Sequence, residues 1–228
     1  MTVPLTLALE GSTYDGSVAV IGGGEVIAEK TLYDADGVAI TGRGERLVPA
    51  VAECMKAAGV EGREITHIVC GAGPGRFTSL RIAGSAAKGL ATGFGVKLYA
   101  TSSLLLTVTA ARPFPLPGEY LSVLDAMRGD WFVARVTIAA DGEVGQLEPA
   151  RIVSGAQLQA IGDEDSRLQI IGPGRTIDAN PHARGVAPLL SRIIAEGPVD
   201  LALWEPDYGR LPEAQVRLEA AHRGSATR

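Results

Sequence analysis

Apolar positions in the first half of the chain follow two spacings, and each spacing predicts a different kind of element. Short stretches rich in apolar residues, separated by glycine or polar turns, predict strands at residues 5–9, 17–21, 25–33, 65–70 and 96–100. Apolar residues that recur at helical spacing predict helices at residues 45–58, 80–94 and 104–111. Strands and helices that alternate in this way indicate an α/β fold.

The second half of the chain begins with the same order of elements. Strands are predicted at residues 120–124, 131–138, 143–153 and 199–204, and a helix at residues 186–196. In each half the first strand ends in a carboxylate, and each half carries a glycine turn after a later strand. This internal repeat predicts two duplicated lobes, residues 1–111 and residues 112–228, joined by a proline-rich connector. Chance similarity of the two halves is the alternative.

A glycine-rich turn at residues 71–76 follows one predicted strand and precedes a predicted helix. The first N–H groups of a helix lack partners inside the helix, so such a turn can cradle a phosphate. The segment has no Lys-Ser/Thr ending of a Walker loop, which would hold a γ-phosphate and its magnesium. The alternative is a structural turn, in which Gly73 and Gly75 permit a sharp bend and Thr78 caps the helix.

Two carboxylates and one arginine complete the candidate site. Glu10 and Asp125 end corresponding strands, so in a fold of two lobes they are expected to face one cleft. In an active enzyme such a pair binds metal-coordinated phosphate or acts as a base, whereas the alternative is that both carboxylates are inherited and solvated. Arg81 lies one turn into the helix, where it could contact a phosphate or pair with either carboxylate.

Charge and composition narrow the range of functions. The formal net charge of −5 means that the field of the whole chain does not attract nucleic acid. Cys54 and Cys70 fall in a predicted helix and a predicted strand, and they are expected to be reduced core residues. The histidines lack metal-ligand spacing, which predicts no metal site. Neither a signal peptide nor a membrane-spanning run is found, so a cytoplasmic protein is expected.

Several segments together resemble a known family. Residues 73–82 read Gly-Pro-Gly-Arg-Phe-Thr-Ser-Leu-Arg-Ile, and residues 86–91 read Ala-Ala-Lys-Gly-Leu-Ala. Further matches lie at residues 44–49, 125–130 and 205–210. This set of motifs resembles the TsaB family, also called YeaZ, over nearly the whole chain.

The resemblance implies the fold of the actin, sugar kinase and Hsp70 (ASKHA) superfamily, which has two duplicated ribonuclease-H-like lobes. It also implies a role in bacterial synthesis of N6-threonylcarbamoyladenosine (t6A) at position 37 of tRNAs that read codons starting with A. In that pathway TsaC makes a threonylcarbamoyl adenylate, TsaD carries the metal and transfers the group to adenine, and TsaE is an ATPase. The family itself is expected to be a scaffold that binds and activates TsaD, without catalysis or a cofactor of its own and with only indirect contact with tRNA.

Three positions depart from the family pattern. Glu10 stands where an Asp is usual, and its extra methylene moves the carboxylate by about 1 Å or more. Ser79 stands where glycine is usual, and Gly44 where histidine is common. These changes favour the remnant of a nucleotide site over a working one. The residues of this remnant are Glu10, Gly73, Gly75, Thr78, Arg81 and Asp125. A small-molecule kinase or ATPase of the same superfamily is the alternative.

Two predicted helices provide the candidate surface for a partner. The helix at residues 80–94 is rich in small residues, and each internal glycine costs about 1 kcal/mol relative to alanine. Close packing would offset this cost, either against the chain's own sheet or, together with the helix at residues 45–58, against another chain. The expected interface residues are Leu47, Val48, Val51, Met55, Leu80, Ala83, Ala87 and Leu90. TsaD is the expected partner in a heterodimer and TsaE a further one, and a homodimer through the same helices would compete. The mildly basic tail at residues 220–228 is expected to be a frayed terminus.

Overall fold

Two mixed β-sheets form the framework of the protein. The computed structural model describes residues 3–32, 43–165 and 167–209. The strands of the first sheet are β1 (Leu5–Glu10), β2 (Ser17–Gly22), β3 (Glu25–Thr31), β4 (Ile65–Gly71) and β5 (Lys97–Thr101). They are arranged in the order β3-β2-β1-β4-β5, in which β1 is antiparallel to β2 and parallel to β4.

The second sheet repeats this arrangement. Its strands are β6 (Gly118–Asp125), β7 (Asp130–Ile138), β8 (Val144–Gln146), β9 (Arg151–Ser154), β10 (Gln169–Gly172) and β11 (Ile177–Asp178). Their order is β11-β10-β6-β7-β8, and β9 pairs with β7. Strand β6 is antiparallel to β7 and parallel to β10, as β1 is to β2 and β4. The prediction of an α/β fold is confirmed. The strands of the two sheets also follow the same order, with the same parallel and antiparallel pairings.

The helices lie on the outer face of each sheet and between the two sheets. They are α1 (Arg43–Ala58), α2 (Phe77–Phe94), α3 (Ser103–Thr109), α4 (Gly155–Glu164) and α5 (Leu190–Glu196), and 3-10 helices occur at Gly62–Glu64 and Ala183–Leu189. Helices α1 and α2 each bury one apolar stripe in a single core with β1, β2 and β4. Every residue of α3 is buried, because this helix packs between the first and second sheets.

Several predicted elements differ from those observed. The strand expected at residues 199–204 is a turn instead, because the Asp200 carboxylate accepts from the backbone N–H groups of Ala202 and Leu203. The Val199 N–H bonds the Leu98 carbonyl at 2.9 Å, so the chain returns here to the edge of the first sheet. The strand expected at residues 143–153 is divided between β8 and β9, and α4 was not expected at all.

The helix boundaries also need correction. Helix α2 begins at Phe77, one turn before the predicted start, and the helix expected at residues 186–196 is a 3-10 helix followed by α5. The predicted tail at residues 220–228 lies outside the described residues. Within the described part of the chain, no helix is both long and apolar enough to cross a membrane.

Candidate site at the glycine turn

The glycine turn joins β4 to α2, as the sequence predicts, but three of its backbone N–H groups already have acceptors within the protein. The Ala72 N–H donates to the Thr101 carbonyl at 2.7 Å, the Gly73 N–H to the Ser103 hydroxyl at 3.1 Å, and the Arg76 N–H to the Ser12 carbonyl at 2.8 Å. A phosphate bound at the turn would have to displace these internal acceptors. The turn is therefore held as a structural joint in this conformation.

The two glycines of the turn are required by close packing. Gly73 has φ +91°, and a Cβ there would overlap the Asp207 carbonyl. A Cβ on Gly75 would lie 2.6 Å from the Cβ of Ser12. The expected helix cap is wrong, because Arg76 is the N-cap residue and Thr78 lies exposed within the first turn of α2. Only a residue without a side chain fits at either glycine position.

Glu10 is fully buried at the end of β1, which corrects the expectation that it is solvated. Its carboxylate accepts from the Ser12 N–H at 2.5 Å and from the Ser103 hydroxyl at 3.0 Å. A Cβ on Gly71 would overlap this carboxylate, so Gly71 leaves the space that the longer side chain fills. Burial raises the pKa of Glu10, and the hydrogen bonds from Ser12 and Ser103 oppose that rise.

Asp125 ends β6 in a more open environment. Its side chain is 51% exposed, and one carboxylate oxygen accepts from the Met127 N–H at 2.8 Å. The other carboxylate oxygen lies 3.4 Å from the Arg76 guanidinium, which also covers the ring of Tyr14 at 3.7 Å. The ion pair considered for Arg81 is thus made by Arg76, while Arg81 lies over the ring of Phe77 at 5.4 Å. Nothing in the sequence alone indicates which of these two arginines pairs with Asp125.

The C-terminal part of the described chain lies across the glycine turn. The Asp207 N–H donates to the Ala72 carbonyl at 2.7 Å, and the ring of Tyr208 lies 4.6 Å from that of Phe77. Gly209 has φ +65°, and a Cβ there would overlap the ring of Phe132 in β7. The segment at residues 205–209 therefore contacts both halves of the molecule where the predicted cleft would open.

The structure changes the residues of the candidate interface. Most of the expected residues are buried within the chain itself, namely Leu47, Val51, Met55, Leu80, Ala83 and Ala87. Leu90 is half-buried, whereas Val48 is 55% exposed. The correction has a simple cause, since an apolar stripe at helical spacing marks the side of a helix that faces its own core.

A different set of residues forms the outward face of the same two helices. Val48 and Ala52 on α1 are exposed, as are Ser85, Gly89 and Gly93 on α2. Among the described residues, no atom lies within 4 Å of a Cβ built on Gly89 or Gly93. We call these five residues the outward face. Ser85, Gly89 and Gly93 recur every four residues, so the sequence carries a signal for this side of α2, but the predicted interface residues did not include them.

Among the described residues, no group of three or more His, Cys, Asp or Glu side chains could hold a metal ion. His67 lies at the surface of β4, beside Tyr99. His182 is buried near the junction of the two halves. The third histidine, His222, lies outside the described residues. The site thus offers one buried carboxylate, one exposed ion pair and a turn in which three backbone N–H groups are bonded internally.

Comparison with known proteins gives matches in both sequence and fold. Residues 37–146 match the family model of TsaD, tRNA N6-adenosine threonylcarbamoyltransferase. The tRNA threonylcarbamoyladenosine biosynthesis protein TsaB of Bacillus subtilis (strain 168) is 27% identical over 167 residues, which cover 73% of this chain and 69% of that protein. The tRNA N6-adenosine threonylcarbamoyltransferase of Porphyromonas gingivalis (strain ATCC BAA-308 / W83) is 32% identical over 115 residues, which cover 46% of this chain and 34% of that one.

Solved structures give the same result for the fold. YeaZ from Pseudomonas aeruginosa superposes with a TM-score of 0.71 at 22% identity, over 90% of this chain and 99% of that one. A crystal structure of a protein described as similar to peptidase YEAZ from Pseudomonas aeruginosa gives a TM-score of 0.72 at 22% identity, over 91% of this chain and 100% of that one. Together with the TsaB match and the motifs in the sequence, these results confirm that this chain resembles the TsaB (YeaZ) family.

Proposed function

We propose that this protein takes part in the synthesis of t6A at position 37 of tRNA, as a non-catalytic scaffold subunit that binds and activates a TsaD-type transferase. The observation that carries the proposal is the similarity to the TsaB protein of Bacillus subtilis over 167 residues. The match of residues 37–146 to the TsaD family model supports a relationship to the proposed partner, and two related chains can pair through equivalent surfaces as the subunits of an isologous dimer do. TsaE is a further proposed member of the complex.

The proposed lobes correspond to the two sheets. Their common order of strands supports two duplicated ribonuclease-H-like lobes of the ASKHA superfamily, with residues 1–111 and residues 112–228 as the proposed boundaries. The segment at residues 199–209 belongs in sequence to the second lobe, but it packs on β5, α2 and the glycine turn of the first. Such a segment would fix the two lobes relative to each other.

A scaffold role is supported by the state of the proposed nucleotide remnant. Gly73 and Gly75 pack against other backbone segments, and Glu10 is fully buried and accepts hydrogen bonds from Ser12 and Ser103. Thr78 and Arg81 lie on the exposed start of α2, and Asp125 pairs with Arg76. In this arrangement the chain would act as a structural support, and the catalytic residues would belong to the transferase.

The proposed contact with the transferase is the outward face of α1 and α2. Exposed small residues allow another helix to approach closely, and Val48 adds an apolar side chain at the edge. Two helices from each chain would give a four-helix contact. A homodimer through the same face would compete with the transferase, because both would cover the same residues.

The test is a reconstitution of t6A synthesis with purified TsaC, TsaD and TsaE, tRNA, threonine, bicarbonate and ATP, and nucleosides are quantified by mass spectrometry. Omission of this chain is expected to lower t6A formation by about tenfold or more, and omission of TsaD to abolish it. Synthesis of t6A by this chain without TsaD would contradict the scaffold role. An unchanged rate without this chain would contradict its participation.

A further inference from the structure

A cavity lies at the junction of the two halves, apart from the glycine turn. Its volume is about 320 Å³, which is at the small end of the range for ligand sites. The residues that line it are Asp15, Thr31, Ala110, Ala111, Arg112, Asp178, Ala179, Asn180, Pro181, His182 and Arg184. We call it the junction cavity. None of the residues assigned to the nucleotide remnant lines it.

Two arginines of the junction cavity share a single carboxylate. Guanidinium nitrogens of Arg112 and Arg184 lie 3.4 and 3.5 Å from the same oxygen of Glu29. The Nε of Arg184 also donates to the Ala110 carbonyl at 2.9 Å, which fixes the orientation of this guanidinium. One carboxylate cannot balance two guanidinium groups, so one positive charge remains for a carboxylate or another anionic group of a ligand.

Two carboxylates line the same cavity. Asp178 accepts from the Gly174 N–H at 2.8 Å through one oxygen, and Asp15 lies in the turn between β1 and β2. Neither carboxylate has an ion pair with any residue in the described ranges. They therefore provide negative charge for a cationic group of a ligand, within the cavity that the two arginines line.

His182 adds an unsatisfied polar group. His182 is 6% exposed, and its Nδ1 accepts from the backbone N–H of Arg184 at 3.1 Å, so the neutral ring carries its proton on Nε2. Burial and the positive charges of Arg184 and Arg112 lower the pKa of His182 to about 3, which keeps the ring neutral. Among the described residues Nε2 has no hydrogen-bond partner, and a buried donor of this kind costs about 1–3 kcal/mol if it stays unpaired.

We propose that the junction cavity binds a small zwitterion of the free amino acid class. Its carboxylate would lie against Arg112 and Arg184, its ammonium group against Asp15 and Asp178, and its side chain against the alanines and Pro181. A simple anion would leave the two aspartates unbalanced, and a simple cation would face the arginines. Only a ligand that carries both charges suits the whole lining. This inference does not depend on the proposed role in t6A synthesis.

The experiment screens the full chain against the twenty protein-building amino acids singly, by ligand-observed NMR, and then measures affinities by calorimetry. We expect at least one of them to bind with a Kd of about 1 mM or tighter. Its N-acetyl derivative lacks the ammonium group and its carboxamide lacks the carboxylate, and each is expected to bind at least about tenfold more weakly. No binding by any amino acid at millimolar concentration would overturn the proposal. Equal binding of the N-acetyl derivative would also overturn it, because the site would then be a simple anion site.

Two substitutions test the location. Arg112→Gln and Asp178→Asn each remove one charge from the junction cavity, and each is expected to weaken binding by about tenfold. Arg63→Gln is the matched control, because Arg63 is 80% exposed and pairs with Glu61 on the surface, away from the junction cavity. Binding that survives both cavity substitutions, or that falls equally with the control, would place the ligand elsewhere and contradict the proposal.

Discussion

Glu10 and Asp125 occupy the same position in the two sheets but lie in opposite environments. Each ends the first strand of its sheet, β1 or β6, and each is followed by a turn into an antiparallel neighbour. Glu10 is fully buried and held by Ser12 and Ser103, whereas the Asp125 side chain is half-exposed. A repeated backbone can therefore keep one carboxylate as part of the core and leave the other at the surface.

The difference arises from what covers each turn. The turn after β1 is covered by α2, since Gly11 lies against Ala83 and the Ser79 carbonyl. The turn after β6 is short and held by its own backbone, with Met127 and Arg128 at φ 67° and 61°. The Glu10 carboxylate is enclosed by Gly71 and Ser103, whereas the Asp125 carboxylate bonds within its own turn and to Arg76.

The largest expected effect is the difference in stability between the variants that lack one or the other carboxylate. Glu10→Ala leaves a buried cavity and two donors without an acceptor, and we expect the free energy of unfolding to fall by about 3 kcal/mol. Asp125→Ala removes only exposed contacts and is expected to cost less than about 1 kcal/mol. Urea denaturation of the two variants measures the difference. Equal losses would show that the two positions are energetically equivalent.

Gly71 gives a second test, because it leaves the space for the longer side chain of Glu10. A methyl group at Gly71 would overlap the buried carboxylate, so Gly71→Ala is expected to destabilise the protein by about 2 kcal/mol. Glu10→Asp shortens the side chain by one methylene and should restore part of this loss in the double variant. If the two changes are additive in denaturation experiments, the proposed contact between the two residues is wrong.

The burial of Glu10 is also expected to make the stability of the protein depend on pH. The pKa of Glu10 is raised above its ordinary value of 4.5 by burial, so the folded state binds this proton more tightly than the unfolded state. The stabilisation from the protonated acid is therefore complete below pH 4.5 and is lost as the pH rises through the folded pKa. Glu10→Gln cannot titrate, so its stability relative to the natural protein should rise over this pH range. A difference that is independent of pH would contradict the raised pKa.

The smallest expected effect concerns the ion pair of the second carboxylate. Arg76 and Asp125 are 24% and 51% exposed, and the two charged groups lie 3.4 Å apart. A double-mutant cycle with Arg76→Met and Asp125→Asn is expected to give a coupling free energy below about 1 kcal/mol. A coupling of several kcal/mol would mean that this pair is as structural as Glu10 and its donors.

Local patterns in the sequence predict the fold better than the site. The apolar run at residues 5–9 predicts a strand, and the structure has β1 there, because a short apolar stretch between turns has few alternatives. Helix α4 was missed although Ser154 and Gln157 form a capping box, which is a recognisable start signal. The burial of Glu10 depends on Ser103, which is 93 residues away, and no local pattern reports such a contact.

The prediction of the interface residues was wrong for a related physical reason. Residues such as Val51 and Ala87 were chosen because they are apolar at helical spacing, but that pattern marks the side that packs on the chain's own sheet. A docking face on the other side of the same helix can consist of small residues, such as Gly89, which carry little hydrophobic signal. The structure is needed to separate the two sides.

Docking of a TsaD-type transferase on the outward face is tested most directly by Gly89→Leu. Nothing described lies within 4 Å of a Cβ at this position, and leucine favours a helix over glycine by about 1 kcal/mol. We therefore expect a variant that is at least as stable as the natural protein but binds purified TsaD about tenfold or more weakly in calorimetry. Ala160→Leu on the exposed side of α4 is the matched control and should leave binding unchanged. Unchanged affinity of a folded Gly89→Leu protein would contradict the proposed contact.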